Sequence, residues 1–311
     1  MRLRIGTRGS QLALWQANHI RDRLLAECDD VEEVEFEIIK TRGDTILDRT
    51  LSKVGGKGLF ITEIEDALLD GRVDIAVHSM KDMPAVLPDG LTIAAVPERA
   101  NPRDAFVTPL SSDVSHWREL PNGAVVGTSS LRRTSQLLAV RPDLEVKPLR
   151  GNVDTRLRKL DEGHEGMSSI ILASAGLERL GWRHRITSEF EDAVMTPAVG
   201  QGALAIEART SDEKVQRILS VLEHTPTREA TMAERTFLRL VEGSCQVPVG
   251  GFAKVEDHVL SMTAFVGSPD GSTLVRAAVN GASSTYEALG ARLADEVLES
   301  GGRAILSDLL D

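Results

Sequence analysis

Four times along this chain a short strand-like run, apolar in three of the four, leads into a turn that holds a glycine or hydroxyl residue. Each time it gives way to a helical pattern with an arginine beside the junction. Leu3 to Thr7 leads through Arg8-Gly9-Ser10 into a pattern that reaches about Cys28, and Ala124 to Thr128 leads through Ser129-Ser130 into a helix carrying Arg132 and Arg133. Glu145-Val146-Lys147 leads through Arg150-Gly151-Asn152 into a helix carrying Arg156, Arg158 and Lys159, and Ser168 to Ser174 leads into Ala175-Gly176-Leu177-Glu178-Arg179. Short apolar runs bounded by turn signals read as buried strands, and strands that alternate with helices make an α/β fold. Each junction points free backbone N–H groups and the positive end of a helix dipole at one spot. Arg132 and Arg133 sit in a first helical turn, the wrong end for cations. An anion between them and the amides explains them better than helix stability does.

The acceptable anions are narrowed by composition. The chain has 311 residues, enough for two or three domains, and a formal net charge of −11. Basic residues nevertheless outnumber acidic ones between Gly123 and Lys159, so the segment suits a small polyanion bearing carboxylates or phosphates, which arginine grips with paired donors. Arg158 and Lys159 also fit a solvated helix face. Only 4% of residues are aromatic, which together with the acidic balance argues against a nucleic-acid surface. No signal peptide and no membrane span are expected. Two cysteines, Cys28 and Cys245, make no disulfide framework and suit a reducing cytosol. The seven histidines are scattered, with no metal-ligand spacing, so no metal is expected.

Taken in order, the first helix should bury Leu12, Trp15, Ile20 and Leu24, with Trp15 in the core. Arg8 and Ser10 are anion-site candidates. Glu35 to Thr41 reads as a second strand with Phe36, Ile38 and Ile39 buried. Asp48 to Phe60 is rich in Gly and Lys; it reads either as a loop able to close over a cleft or as an ordinary surface loop. Ile61 to Leu69 reads as a helix ending at Gly71. The strand Val73 to Val77 runs into His78-Ser79-Met80-Lys81-Asp82-Met83-Pro84, which puts Lys81 and Asp82 at a strand's carboxyl end, where α/β sheets bind ligands. Asp82 there could pass a proton to a leaving amine or stabilise developing positive charge; a salt bridge at a turn is the alternative. Residues 97–104 read as a crossover into a second lobe, and Pro197 to Leu204 as the return, with Ala203 to Ala208 adding a strand to the first. The expected fold is thus α/β, two lobes like those of bilobal periplasmic binding proteins, plus a small C-terminal α+β domain. The domains are 1–101 with 202–222, then 102–201, then 223–311. The last holds a helix from Pro226 to Glu242, a Gly-bounded loop with Cys245, a hairpin of Leu260 to Val266 with Thr273 to Val279, and a helix from Tyr286 to Leu298.

These stretches together resemble the porphobilinogen deaminase (hydroxymethylbilane synthase) family. The matching segments are Gly6 to Ala13, Gly55 to Phe60, Ala76 to Pro84, Pro102 to Phe106, Gly127 to Arg133, Leu149 to Arg156, Pro197 to Ala203 and Glu242 to Gly250, in the family's order. Ser244 departs from the pattern, standing where a second glycine is common. The resemblance implies a transferase that joins four porphobilinogen molecules head to tail, releases ammonia at each step, and hydrolyses off the linear tetrapyrrole hydroxymethylbilane. It implies a dipyrromethane cofactor in thioether linkage to Cys245, and Asp82 as the catalytic acid and cation stabiliser. Lys81, Thr128, Ser129, Arg132, Arg133 and Arg156 would hold the cofactor. Arg8, Ser10, Phe60, Arg150, Arg179 and Gln201 would hold substrate or the growing chain. A cytoplasmic monomer that passes its product to uroporphyrinogen-III synthase is implied as well. The competing reading is a non-enzymatic bilobal binder of a small dicarboxylate or oxyanion; the third domain with Cys245 and the missing signal peptide count against it.

Overall fold

The computed structural model describes residues 1–41, 61–241 and 247–310. The expected loop of residues 48–60 and the cysteine loop with Ser244 and Cys245 lie outside them. Two compact units are present. One holds Met1–Ala100 with Ala203–Arg228, the other Asn101–Gly202 with Glu229–Asp311.

The first unit is built on a five-stranded sheet of β1 (Arg2–Thr7), β2 (Glu33–Ile38), β3 (Ile75–Ser79), β4 (Leu91–Ala95) and β10 (Leu204–Arg209), in the order β2-β1-β3-β10-β4. The strands β1, β2 and β3 are parallel; β10 runs antiparallel to both its neighbours. Helix α1 (Gln11–Glu27) starts at Ser10, whose side chain accepts from the Ala13 N–H, and buries Gln16, Ala17, Ile20 and Leu24. That stripe leaves Trp15 36% exposed and stacked on His19, so Trp15 is not a core residue. The second strand is also shifted: it ends at Ile38, which is 59% exposed on an edge strand, whereas Ile39 is buried just beyond it. Helix α2 (Thr62–Leu69) buries Ile64, Ala67 and Leu68 with Ala76 and Val73 and stops before Gly71, whose φ of 69° suits glycine. Helix α6 (Glu213–Leu219) closes the opposite core with Leu3, Ile5 and Ile20.

The second unit repeats the plan. Its larger sheet contains β5 (Asp104–Val107), β6 (Val125–Gly127), β7 (Glu145–Lys147), β8 (Met167–Ala173) and β9 (Ser188–Glu189) in the order β7-β6-β8-β5-β9. Again three strands are parallel, and a strand from outside the run, β5, is inserted antiparallel. Helices α3 (Leu131–Val140), α4 (Val153–Asp161) and α5 (Ser174–Arg179) follow β6, β7 and β8. Both sheets therefore have the expected α/β lobe topology. The C-terminal part is an antiparallel sheet β11-β12-β13 (Val249–Glu256, Val259–Gly267, Leu274–Ala282). Its core includes residues of helices α7 (Thr225–Leu240) and α8 (Tyr286–Val297), and α9 (Arg303–Leu310) follows them.

Strand β11 and helix α9 lie beyond the elements expected from the sequence. In β11 the pair Gly250-Gly251 reads as loop, yet a Cβ at Gly250 would lie 2.6 Å from the Phe265 ring and 2.9 Å from the Pro197 carbonyl oxygen. Glycine is there for close approach within a strand. Gly290 has the same function in α8, where a Cβ would meet the Ala233 carbonyl oxygen at 2.3 Å. Gly290→Ala should therefore destabilise the protein by about 1–3 kcal/mol in denaturant unfolding despite alanine's better helix propensity. An unchanged or raised midpoint would show that the helices separate without cost.

Candidate functional site

In the first unit the candidate residues sit at two junctions. Strand β3 runs directly into a single 3₁₀ turn, Met80–Asp82. The turn is pinned from several sides: Met80 is buried and its N–H donates to the Ala203 carbonyl, Met83 N–H closes onto the Met80 carbonyl, and Gln16 Nε2 donates to Ser79 Oγ at 2.8 Å. A rigid backbone thus presents an exposed Asp82, with Lys81 half-buried beside it. At the β1–α1 junction Arg8 and Ser10 are half-buried, and Ser10 Oγ is engaged by the helix N-terminus.

In the second unit the arginines converge on a residue to which the sequence assigned no function. Asp104, fully buried at the start of β5, receives Arg132 Nη1 at 2.7 Å and Nη2 at 3.1 Å, Arg133 Nε at 2.9 Å and Gln201 Nε2 at 3.1 Å. Arg132 also donates to the Thr196 carbonyl and Arg133 to the Ile171 carbonyl. An anion does face the start of α3, as the misplaced cations demanded, and the protein itself provides one. Burial alone would push the Asp104 carboxyl up, but Arg132 and Arg133 overcome this and hold it well below the usual carboxylate range. Two buried guanidiniums against one carboxylate leave a surplus positive charge, which is the electrostatic requirement for binding a further carboxylate. The signal for Asp104 was present in the sequence as the acid of Pro102-Arg103-Asp104-Ala105-Phe106, but nothing in the spacing linked it to Arg132.

The other candidates make separate contacts. Thr128 is buried and its Oγ1 accepts from the Ser130 N–H, while the exposed Ser129 donates to the Leu149 carbonyl. Ser130 is the N-cap of α3 but makes no side-chain capping bond. Arg156 Nε donates to the Gly151 carbonyl, and Lys159 Nζ reaches the Arg150 carbonyl; both hold the turn in which half-buried Arg150 lies. Arg158 pairs with Glu162 on an exposed face, as the solvated reading has it. Arg179 donates to the Gly202 carbonyl, next to Gln201, and burial pushes it down to about 10. Phe60 and Cys245 lie outside the described residues. Cys28 is half-buried at the end of α1. Among the described residues there is no group of three or more His, Cys, Asp and Glu placed to hold a metal ion, and no helix is long and apolar enough to cross a membrane.

The pair is also tied to the C-terminal sheet. Thr196, whose carbonyl takes Arg132, donates its N–H to Gln136 Oε1 at 2.8 Å, and Arg276 of β13 donates to the same oxygen at 3.1 Å and to the Ala193 carbonyl at 2.8 Å. Asp104→Asn leaves two buried cations without a counter-charge and should cost about 3–5 kcal/mol at neutral pH. Because the folded-state pKa is depressed, this contribution is complete above the ordinary Asp value of 3.8 and is lost as pH falls below it. The gap between wild type and Asp104→Asn in denaturant unfolding should therefore narrow in acid. A small gap, or one independent of pH, would contradict the pairing.

Comparison with known proteins places this geometry. A family model described as "Porphobilinogen deaminase, dipyromethane cofactor binding domain" matches residues 3–217, and a second, "Porphobilinogen deaminase, C-terminal domain", matches residues 229–299. A curated porphobilinogen deaminase of Nitrosomonas europaea is 52% identical over 305 residues, covering 98% of this chain and 97% of the relative. That of Syntrophobacter fumaroxidans is 49% identical over 307 residues, covering 99% and 97%. On these matches over nearly its whole length, the chain belongs to the porphobilinogen deaminase family.

Proposed function

We propose that this chain is a transferase of tetrapyrrole biosynthesis that condenses four porphobilinogen molecules into hydroxymethylbilane with release of ammonia, and that Asp82 is its catalytic residue. The observation that carries the reading is the surplus positive charge of Arg132 and Arg133 against Asp104, because each pyrrole ring of the substrate bears an acetate and a propionate. A dipyrromethane cofactor fits this donor set. When bound in thioether linkage to Cys245 it supplies the pyrrole carbon that is extended. Arg132, Arg133, Lys81, Arg156, Thr128 and Ser129 are assigned to its carboxylates. Arg8, Ser10, Arg150, Arg179, Gln201 and Phe60 are assigned to incoming substrate and the growing chain. The division into domains 1–101 with 202–222, 102–201 and 223–311 is the frame for these roles.

Asp82 acts on the substrate's aminomethyl group. The nitrogen leaves with a full complement of protons as ammonia, and the methylene carbon it leaves becomes cationic, its charge shared with the pyrrole ring. An exposed carboxylate on a pinned turn stabilises that cation without reorganising its backbone. After the new carbon–carbon bond forms, the attacked ring position loses a proton, for which the same carboxylate is the acceptor. The guanidiniums orient the carboxylate arms so that the reacting carbons meet. A cytoplasmic monomer that delivers its product to uroporphyrinogen-III synthase completes the proposal.

Asp82→Asn keeps the size and polarity of the side chain but removes its charge. Turnover of porphobilinogen should fall at least about a hundredfold, while the melting temperature and the retention of cofactor stay near those of wild type. Wild-type turnover in this variant would refute the assignment.

A further inference from the structure

Three titratable side chains that this mechanism does not use are buried around β3, the strand that ends at the Met80–Asp82 turn. Glu207 of β10 lies opposite Ala76 in the register, and His78 lies opposite Ala205, so Glu207 and His78 are diagonal neighbours on one face of the sheet. Their contact is short: His78 Nε2 lies 3.0 Å from Glu207 Oε2, and a carboxylate acceptor requires the proton on Nε2. Helix α2 packs on β3 and β10 and brings in Glu65, which is 6% exposed. The remaining oxygens, Glu207 Oε1 and Glu65 Oε1, are both buried and without a hydrogen-bond partner. Two orphan carboxyl oxygens in a buried space are costly unless they satisfy each other, and that requires a proton between them.

The surrounding charges offer no other counter-ion among the described residues. Arg209, two residues along β10, is committed to the Leu68 and Val73 carbonyls, Asp74 and Asp212. Arg4 of β1 is committed to Asp74 and the Gly71 carbonyl. Strand β4 carries no titratable residue, and on α2 itself Asp66 adds further negative charge. Burial first, then the Glu207 charge, push the Glu65 carboxyl up to about 7, with His78 opposing.

We propose that Glu65 and Glu207 share one proton as a buried carboxyl–carboxylate pair, with His78 fixing the far oxygen of Glu207, and that this triad positions the end of β3 from which Asp82 projects. The positioning part rests on the function assigned to Asp82 above. Glu65, Glu207 and His78 are positioning residues and touch no reacting atom. Loss of the shared proton sets two carboxylates against each other beside β3, pushes α2 from β10 and loosens the Met80–Ala203 hydrogen bond. A carboxyl raised above its ordinary 4.5 stabilises the fold most in acid and loses that contribution as pH rises through about 7. Turnover should decline over the same range.

The test uses the full-length protein and two readouts. Infrared difference spectra across neutral pH should show a protonated-carboxyl C=O stretch that disappears as pH rises through about 7 and is missing from Glu65→Gln, whose amide donates without ionising. This readout needs no turnover, so it stands or falls separately from the assignment of Asp82. In the pH profile of kcat, Glu65→Gln should keep most of the wild-type rate below neutrality and move the basic limb up by about one pH unit or more. Glu65→Ala, which leaves Glu207 Oε1 without a donor, should lose turnover at every pH. Absence of the titrating band from wild type would overturn the shared proton. A basic limb unchanged in Glu65→Gln would overturn the positioning function, because a purely structural residue would alter melting without altering the limb.

Discussion

A single buried carboxylate orders the second unit. Asp104 stands at the first position of the inserted strand β5 and binds the start of α3 through Arg132 and Arg133 and the return segment through Gln201. Two cations in the first turn of a helix oppose its dipole, and burying them compounds the cost. Asp104 offsets both, yet neutralises only one of the two charges. The carboxylate makes it possible to bury the arginines, and the charge left in surplus makes their surroundings electropositive. The network continues through Thr196 and Gln136 to Arg276, so the sheet of the C-terminal domain is fastened to the helix that carries the pair.

The two larger sheets solve one topological problem in the same way. Each has three adjacent parallel strands, and each is completed by an antiparallel strand from outside that run. In the first unit that strand is β10, and its Glu207 contacts His78 near the end of β3. In the second it is β5, and its Asp104 reaches under the arginines. The inserted strand of each sheet thus carries a buried acid hydrogen-bonded to a neighbouring cation or imidazole of its own unit.

Local signals were legible because they depend on neighbours in sequence. Ser10 as the cap of α1, Gly71 past the end of α2, the β3-to-turn junction at Asp82 and the hairpin after Gly267 all follow from spacing and turn chemistry. What stayed hidden depends on partners far along the chain. Trp15 suits a helix's apolar face, but the burial stripe runs through Gln16, Ala17, Ile20 and Leu24 instead. Gly250 hides a strand because the groups that exclude a side chain there come from Phe265 and Pro197. Asp104 and Arg132 are 28 residues apart, and Glu207 and His78 are 129 apart, so neither pairing leaves a periodic trace.

The central claim is that this arginine-rich protein carries a covalent pyrrole cofactor that it extends. The intact mass of the purified full-length chain tests it most directly. The account predicts a mass above that of the sequence by two porphobilinogen units less two ammonias, and its disappearance in Cys245→Ser. An unmodified mass that added porphobilinogen or hydroxymethylbilane does not change would contradict it, and would leave a binding protein for small carboxylates in its place.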